Sequence, residues 1–118
     1  MAGSGRLTTH VLDTTHGKPA AGMRLDLLMM HGDHSHHVLS TETNADGRAD
    51  RPLLDGDRFH TGAFELNFHV GRYFERLGLH LEHRFLDIVP IRFVMSEEAH
   101  YHVPLLVSPY GYSTYRGS

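Results

Sequence analysis

Several short stretches of the chain alternate apolar and polar residues at every second position. The clearest is FELNFHV at 64–70, and related stretches lie at 7–12, 23–29 and 101–107. Successive side chains of a β-strand point to opposite faces, so a period of two predicts strands with one buried and one outward face. Turn-forming sequences such as NADG at 44–47 bound these stretches. Many short strands at near-regular spacing predict an all-β sandwich.

One segment has helical spacing instead. It is GRYFERLGL at 71–79, in which two aromatic residues and a leucine can cover one face of a short helix. The 118 residues show no internal repeat and no linker long enough to divide them, and this length is close to the commonest size of one domain. We therefore predict a flexible N-terminus over residues 1–6 and a single domain over residues 7–118.

The composition excludes several functional classes. The chain has no cysteine, which rules out disulfides, thiolate catalysis, cysteine-based zinc sites and iron–sulfur clusters. The formal net charge of −3 provides no basic field for a nucleic-acid backbone. No apolar stretch approaches the roughly 20 residues of a membrane span, and no apolar core of a secretory signal is visible. We expect a soluble cytoplasmic protein without nucleic-acid or membrane partners.

Histidine occurs 12 times, well above its usual share, and one cluster invites interpretation as a metal site. His31, His34, His36 and His37 crowd into the segment HGDHSHH. A built metal site needs ligands that converge and partners that hold them, whereas a polar loop between strands varies freely in composition. We favour the loop and predict no metal site. The alternative is a metal-binding protein, which calorimetry with zinc and nickel would test.

Three other residues are better placed to do chemistry. His10 and His102 lie in the middle of predicted strands, each on the face opposite its apolar neighbours. Two imidazoles on outward faces favour a lined surface, although a solvated side chain remains the commoner outcome for either histidine alone. Arg48 directly follows the NADG turn, where an arginine at a rigid strand end can present a bidentate fork to a planar polar ligand.

The C-terminal segment is unusually rich in aromatic residues. SPYGYSTYRGS at 108–118 contains three tyrosines and an arginine, although terminal residues normally fray. Such a segment makes more sense packed where another subunit or a ligand binds. Together with LTTHVLDTTHGKPAAG at 7–22 and TNADGR at 43–48, the end HYHVPLLVSPYGYSTYRGS resembles the 5-hydroxyisourate hydrolases, the enzymatic branch of the transthyretin-like proteins. The resemblance covers nearly the whole chain.

This resemblance implies a fold, an assembly and an activity. The fold is a transthyretin-like β-sandwich of two antiparallel four-stranded sheets with one short helix. The assembly is a homotetramer, a dimer of dimers with its sites at the subunit interface. The activity is hydrolysis of 5-hydroxyisourate to 2-oxo-4-hydroxy-4-carboxy-5-ureidoimidazoline in urate degradation, without a cofactor.

The resemblance also assigns site residues. The motifs THVLD, DGR and HYHVP place the active-site histidines and arginine, and YRGS is the terminal signature. The implied catalytic residues are His10, Arg48, His102 and Ser118. The implied substrate-binding residues are His10, Arg48, Tyr115, Arg116 and Gly117. Three nearby residues match no functional position, namely His100, Arg51 and Arg58.

Hydrolysis at a ring carbonyl needs a base that takes a proton from water and a positive group that holds the developing oxyanion. Either His10 or His102 can be the base, and Arg48 can be the positive group. The chain has neither a cysteine nor a GxSxG nucleophile elbow, so we expect no covalent intermediate. The alternative function is a small-ligand carrier without catalysis, although His10, His102 and Tyr115 would make its channel narrow and polar.

Overall fold

A computed structural model of the protein describes residues 4–79 and 84–117. The predicted site residue Ser118 and the first three residues of the predicted N-terminal segment lie outside these ranges. Within them the chain forms one α-helix, one short 3-10 helix and nine strands. The helices are α1 (Val70–Arg76) and the 3-10 helix (Gly56–Arg58). The strands are β1 (Arg6–Asp13), β2 (Lys18–Pro19), β3 (Arg24–His31), β4 (His34–Glu42), β5 (Leu54–Asp55), β6 (Gly62–His69), β7 (Ile88–Met95), β8 (His100–Ser108) and β9 (Gly111–Thr114).

The strands form two sheets, which confirms the predicted sandwich. Sheet A has the order β2-β1-β8-β9, with β5 paired to the start of β1, and sheet B has the order β4-β3-β6-β7. The predicted helix is also present. It covers Val70–Arg76, so it begins one residue before the expected segment 71–79 and ends three residues before the end of that segment. β1 begins at Arg6, one residue before the predicted domain boundary, and the N–H of Arg6 donates to the carbonyl of Ala99.

Sheet A differs from the expected arrangement in two respects. It contains five strands rather than four, because two-residue strands β2 and β5 share one edge of β1. It is also not fully antiparallel, because β1 and β8 run parallel along eight paired positions. Two strands must be antiparallel when a short hairpin joins them, and this applies only to strands that follow one another in the sequence. β1 and β8 are far apart along the chain and are joined through sheet B, so no such constraint applies to them.

The core follows the alternation of the sequence. Each member of the core set expected from that alternation is at most 7% exposed; the set is Phe64, Leu66, Phe68, Val103 and Leu105. In β1, the residues that face this core are Leu7, Thr9, Val11 and Asp13. The intervening residues therefore point to the outer face of sheet A.

A buried carboxylate anchors α1 to sheet A. Asp13 is fully buried at the end of β1 and accepts hydrogen bonds from Tyr73 Oη at 2.7 Å and from His16 Nδ1 at 2.6 Å. Burial alone would raise the pKa of Asp13, but these hydrogen bonds outweigh it and lower the pKa.

Within the described residues, no helix has the length and apolar character needed to cross a membrane.

Candidate active site

The outer face of sheet A brings the two predicted histidines to neighbouring strands. In the parallel register, Thr8 lies opposite His102 and His10 lies opposite Pro104. His10 and His102 are both half-buried and alternate with buried core residues. The sequence-based assignment of both side chains to the outward face is therefore confirmed.

His102 is held by contacts on two sides. Its Nδ1 atom lies 2.8 Å from Thr8 Oγ1, and its carbonyl accepts the N–H of Gly117 at 2.7 Å. Gly117 also packs on the imidazole, since a Cβ atom at this position would lie 2.5 Å from His102 Cδ2. Only glycine allows the backbone to come this close to the ring without displacing it.

Arg48 does not occupy the end of a strand as expected. It lies in the irregular segment between β4 and β5, which joins sheet B to sheet A and therefore makes no hairpin. Asn44 shapes the segment: its Oδ1 accepts the N–H groups of Asp46 and Arg48, and its own N–H donates to the Arg48 carbonyl at 2.7 Å. The side chain of Arg48 is exposed, on a backbone restrained by these three hydrogen bonds.

A glycine joins this segment to β1 beside His10. The carbonyl of Gly47 accepts the N–H of Val11 at 2.8 Å. A Cβ atom on Gly47 would lie 2.5 Å from the Val11 carbonyl oxygen and 3.3 Å from His10 Cδ2, and the residue has a φ of 78°. Both the close approach and the left-handed conformation require glycine. Arg48 follows directly, and its charge acts on His102.

The electrostatics of this cluster disfavour the charged form of His102. Burial lowers the pKa of His102, and the charges of Arg48, His10 and His100 lower it further. Among the described residues, neither His10 nor His102 takes part in an ion pair with a carboxylate. A neutral imidazole next to a fixed cation can accept a proton from water while the cation stabilises an anion.

The terminal residues are divided between two places. Gly117 contacts His102, as described above. Tyr115 and Arg116 instead line a cavity of about 320 Å³ between β7 and β9, where Arg116 Cζ lies 4.4 Å from the centroid of the Tyr101 ring. Within the part of the chain that the structure describes, the predicted site therefore comes together as His10, Arg48, His102 and Gly117, with Tyr115 and Arg116 at a separate opening.

The histidine-rich segment is not the loop that we expected. His31 ends β3 and the other three histidines belong to β4, so only Gly32 and Asp33 form the turn. The rings of His31 and His36 stack with centroids 4.8 Å apart, and their Nε2 and Nδ1 atoms are 3.1 Å apart. Across residues 4–79 and 84–117, no three histidine or carboxylate side chains are arranged to hold a metal ion.

Sequence reasoning did not single out Thr8. Its place two residues before His10 in the same alternating stretch is enough to predict the outward face. Its hydrogen bond to His102 depends on the register of a parallel strand pair, which no local pattern specifies.

The whole chain is similar to proteins of one family. The model of the HIUase/Transthyretin family matches residues 7–117. The protein named 5-hydroxyisourate hydrolase 2 of Rhizobium meliloti is 55% identical over 120 residues, covering 100% of both chains. The 5-hydroxyisourate hydrolase of Mesorhizobium japonicum is 58% identical over 118 residues, covering 99% of this chain and 95% of the relative.

Two solved structures illustrate the range of the fold. The Klebsiella pneumoniae 5-hydroxyisourate hydrolase superposes with a TM-score of 0.80 at 31% identity, covering 100% of this chain and 97% of the other. Sea bream transthyretin in complex with thyroxine superposes with a TM-score of 0.84 at 24% identity, covering 95% and 94%. At 24% identity, the similarity to transthyretin shows only that the two proteins share the β-sandwich fold.

Proposed function

The chain belongs to the HIUase/Transthyretin family, and we propose that it hydrolyses 5-hydroxyisourate. The observation that carries the chemistry is a half-buried imidazole, His102, whose pKa is lowered by burial and by the fixed cation Arg48. Full-length relatives at 55% and 58% identity that are named 5-hydroxyisourate hydrolase support the enzyme over a small-ligand carrier.

His102 serves as the general base in this proposal. Its neutral form takes a proton from water as the water oxygen adds to the ring carbonyl, and Arg48 holds the oxyanion that forms. The tetrahedral intermediate then collapses with cleavage of the ring C–N bond. The proton returns from His102 to the departing nitrogen, which leaves a carboxylic acid and an opened six-membered ring, and the acid then releases its proton to water. The contacts of Thr8 and Gly117, which fix the orientation of the His102 ring, favour His102 over His10 as the base and leave His10 to orient the substrate or donate a proton.

The remaining site residues stay predictions. Gly117 lies against His102, so the terminal signature reaches the site through its backbone. Tyr115 and Arg116 line the cavity between β7 and β9, and Ser118 lies outside the described residues. In an assembly of several chains, the terminus of a neighbouring copy supplies the groups that bind the rest of the substrate.

The proposed enzyme is a homotetramer with its sites between subunits. In a single chain, the histidine face of sheet A is an open surface on which Arg48 is exposed. A second copy on this face would turn the surface into a channel that excludes water, which strengthens the electrostatic interactions of the site. Val94, 65% exposed on the edge strand β7, offers a further apolar contact.

Light scattering tests this assembly directly. We expect a particle of four times the chain mass of 13.3 kDa, and a stable particle of one chain mass would contradict the proposal. A cytoplasmic location stays a prediction that fractionation of the source cells would check.

A coupled assay tests the activity. Urate and urate oxidase generate 5-hydroxyisourate, and the loss of its ultraviolet absorbance is followed with and without this protein. We expect a decay much faster than the spontaneous one. The His34→Ala variant is the matched control, because it removes a histidine from the β3–β4 hairpin in sheet B and should retain full activity. A decay no faster than the spontaneous one would refute the proposed function.

A further inference from the structure

Thr8 stands at the centre of a short hydrogen-bonded chain on the outer face of sheet A. Its Oγ1 atom lies 2.8 Å from His102 Nδ1 and 3.3 Å from His100 Nε2. Thr8 and His102 are direct neighbours across the parallel strand pair, and His100 lies two residues earlier on the same face of β8. Thr8 also lines, together with Arg48, a cleft of about 140 Å³ beside these strands.

A hydroxyl group has only one proton to place between two ring nitrogens. In the first arrangement, His102 Nδ1–H donates to Thr8, and the Thr8 hydroxyl donates to His100 Nε2. In the second, His100 Nε2–H donates to Thr8, and the Thr8 hydroxyl donates to His102 Nδ1. The first leaves His102 Nε2 with a bare lone pair, whereas the second leaves it carrying a proton.

Only the first arrangement suits a base at His102, because it leaves the lone pair of Nε2 free to accept a proton while Nδ1–H donates to Thr8. His100 is exposed, so water can satisfy its other nitrogen in either tautomer.

We propose that Thr8 is a positioning residue that holds His102 in the Nδ1–H tautomer and thereby presents a bare Nε2 to the substrate. The catalytic consequence rests on the proposed function, because only a base benefits from a fixed lone pair. Thr8 accepts the Nδ1–H both before and after His102 takes a proton, so the imidazole keeps its orientation through the reaction. His100 receives the hydroxyl proton of Thr8 and touches no reacting atom.

A matched pair of variants tests the catalytic part. Thr8→Val keeps the β-branched shape on the outer face and removes the hydroxyl, so we expect kcat to fall about tenfold to hundredfold, as for lost partners that orient a catalytic ligand. KM should change little. Thr8→Ser restores a hydroxyl at the same place and should recover most of kcat. Loss of kcat in both variants, or in neither, would overturn the proposal.

Thr9→Val is the structural control. Thr9 faces the core and its hydroxyl donates to the Val103 carbonyl at 2.8 Å, so this change should lower the melting temperature and leave kcat unchanged. An equal fall of kcat in Thr9→Val would show that the effect of Thr8→Val is a general disturbance of β1.

Nitrogen-15 NMR of the labelled protein tests the tautomer without any substrate. His102 should show a protonated Nδ1 and a bare Nε2 in the unaltered protein, and a mixture of both tautomers in Thr8→Val. A protonated Nε2 in the unaltered protein would overturn the proposal even if the enzyme is active. Conversely, failure of the coupled assay would refute the proposed function while the NMR result still decides the role of Thr8.

Discussion

Two half-buried histidines on opposite outer faces of the sandwich have different partners. On sheet B, His69 Nε2 lies 2.6 Å from Asp26 Oδ2, and Asp26 also accepts hydrogen bonds from Ser40 at 2.5 Å and from Arg24 at 3.2 Å. On sheet A, His102 Nδ1 meets only the hydroxyl of Thr8 among its side-chain hydrogen bonds within the described residues. One imidazole faces a carboxylate, and the other faces a hydroxyl.

The partner decides what each histidine can do. A carboxylate stabilises the charged form of an imidazole and ties the ring into an ion pair. Burial alone would raise the pKa of Asp26, but the hydrogen bonds from Ser40, His69 and Arg24 hold it at about 2. Among the described residues His102 has no carboxylate partner, and its pKa is lowered. This contrast predicts that His102 is the base and that His69 contributes to stability.

Replacing each histidine in turn tests this contrast most strongly. We expect His102→Ala to lower kcat/KM by about 10² to 10⁴, the usual contribution of a positioned base, with little change in folding stability. We expect His69→Ala to leave kcat/KM unchanged and to lower the free energy of unfolding by about 1 to 3 kcal/mol, because it removes one of the three hydrogen-bond donors to the half-buried carboxylate of Asp26. Coupled assays and urea unfolding measure the two effects.

The opposite pattern would remove the contrast. If His69→Ala impaired catalysis as strongly as His102→Ala, the carboxylate-paired histidine would belong to the site. The variant His100→Ala adds a check on the face assignment. Equal losses in His100→Ala and His102→Ala would show that the catalytic histidine had been misplaced.

The charge of Arg48 can be separated from its shape. Arg48→Ala should lower kcat by about 10² to 10³, the cost of a lost oxyanion donor. It should also raise the pKa of His102 toward its ordinary value of 6.5, so the acid limb of the kcat/KM profile moves to higher pH. Arg48→Lys keeps the charge without the planar fork, so kcat should fall while the acid limb stays at low pH. If the acid limb of the kcat/KM profile does not move in Arg48→Ala, the charge of Arg48 does not lower the pKa of His102.

The contact between the terminal segment and His102 can be broken by one methyl group. Gly117→Ala would place a Cβ atom 2.5 Å from His102 Cδ2, so the ring must shift. Small misplacements of catalytic groups are costly, and we expect kcat to fall about tenfold to hundredfold. Gly111→Ala is the matched control near the same terminus, because its Cβ would meet only Ser108 Oγ at 4.0 Å. Equal activity of the two variants would mean that Gly117 does not support the site.

The smallest effect concerns stability on sheet B. The pKa of Asp26 is about 2 in the folded protein against 3.8 for an unperturbed carboxyl, so the ionised form is favoured by folding. This stabilisation is present above pH 3.8 and is lost as the pH falls through about 2. From 1.36 kcal/mol per pKa unit, it amounts to about 2 kcal/mol. Urea unfolding should show Asp26→Asn less stable at pH 7 by about this amount, with the difference vanishing near pH 2. A difference independent of pH would contradict the assignment.

The sequence predicted the faces of the strands better than it predicted their partners. Alternation within one stretch is a local property, so it placed His10, His102 and the core correctly. The parallel pairing of β1 with β8 and the contact of Thr8 with His102 join distant segments, about which a local period carries no information. These contacts could be identified only from the folded structure.

Two local predictions also missed, each for a physical reason. The histidines of 34–37 lie in a strand whose two faces are both exposed at the hairpin end, so no alternation marks it. The NADG turn before Arg48 was expected to place the arginine at the end of a strand, but the chain uses the turn to pass between the sheets. The residues of a turn determine its local conformation, whereas the packing of the whole sandwich determines which sheet the next strand joins.

The parallel pair of β1 and β8 has a consequence for the order of events during synthesis. Thr8 and His102 are 94 residues apart, and at about 5 to 20 residues per second the ribosome needs roughly 5 to 20 seconds to pass from one to the other. Until β8 has been made, β1 lacks the neighbouring strand that carries His102, and closing so long a loop is a slow step in folding. Sheet A can therefore close only late in synthesis, and the assembly of the proposed sites between subunits can follow only after that.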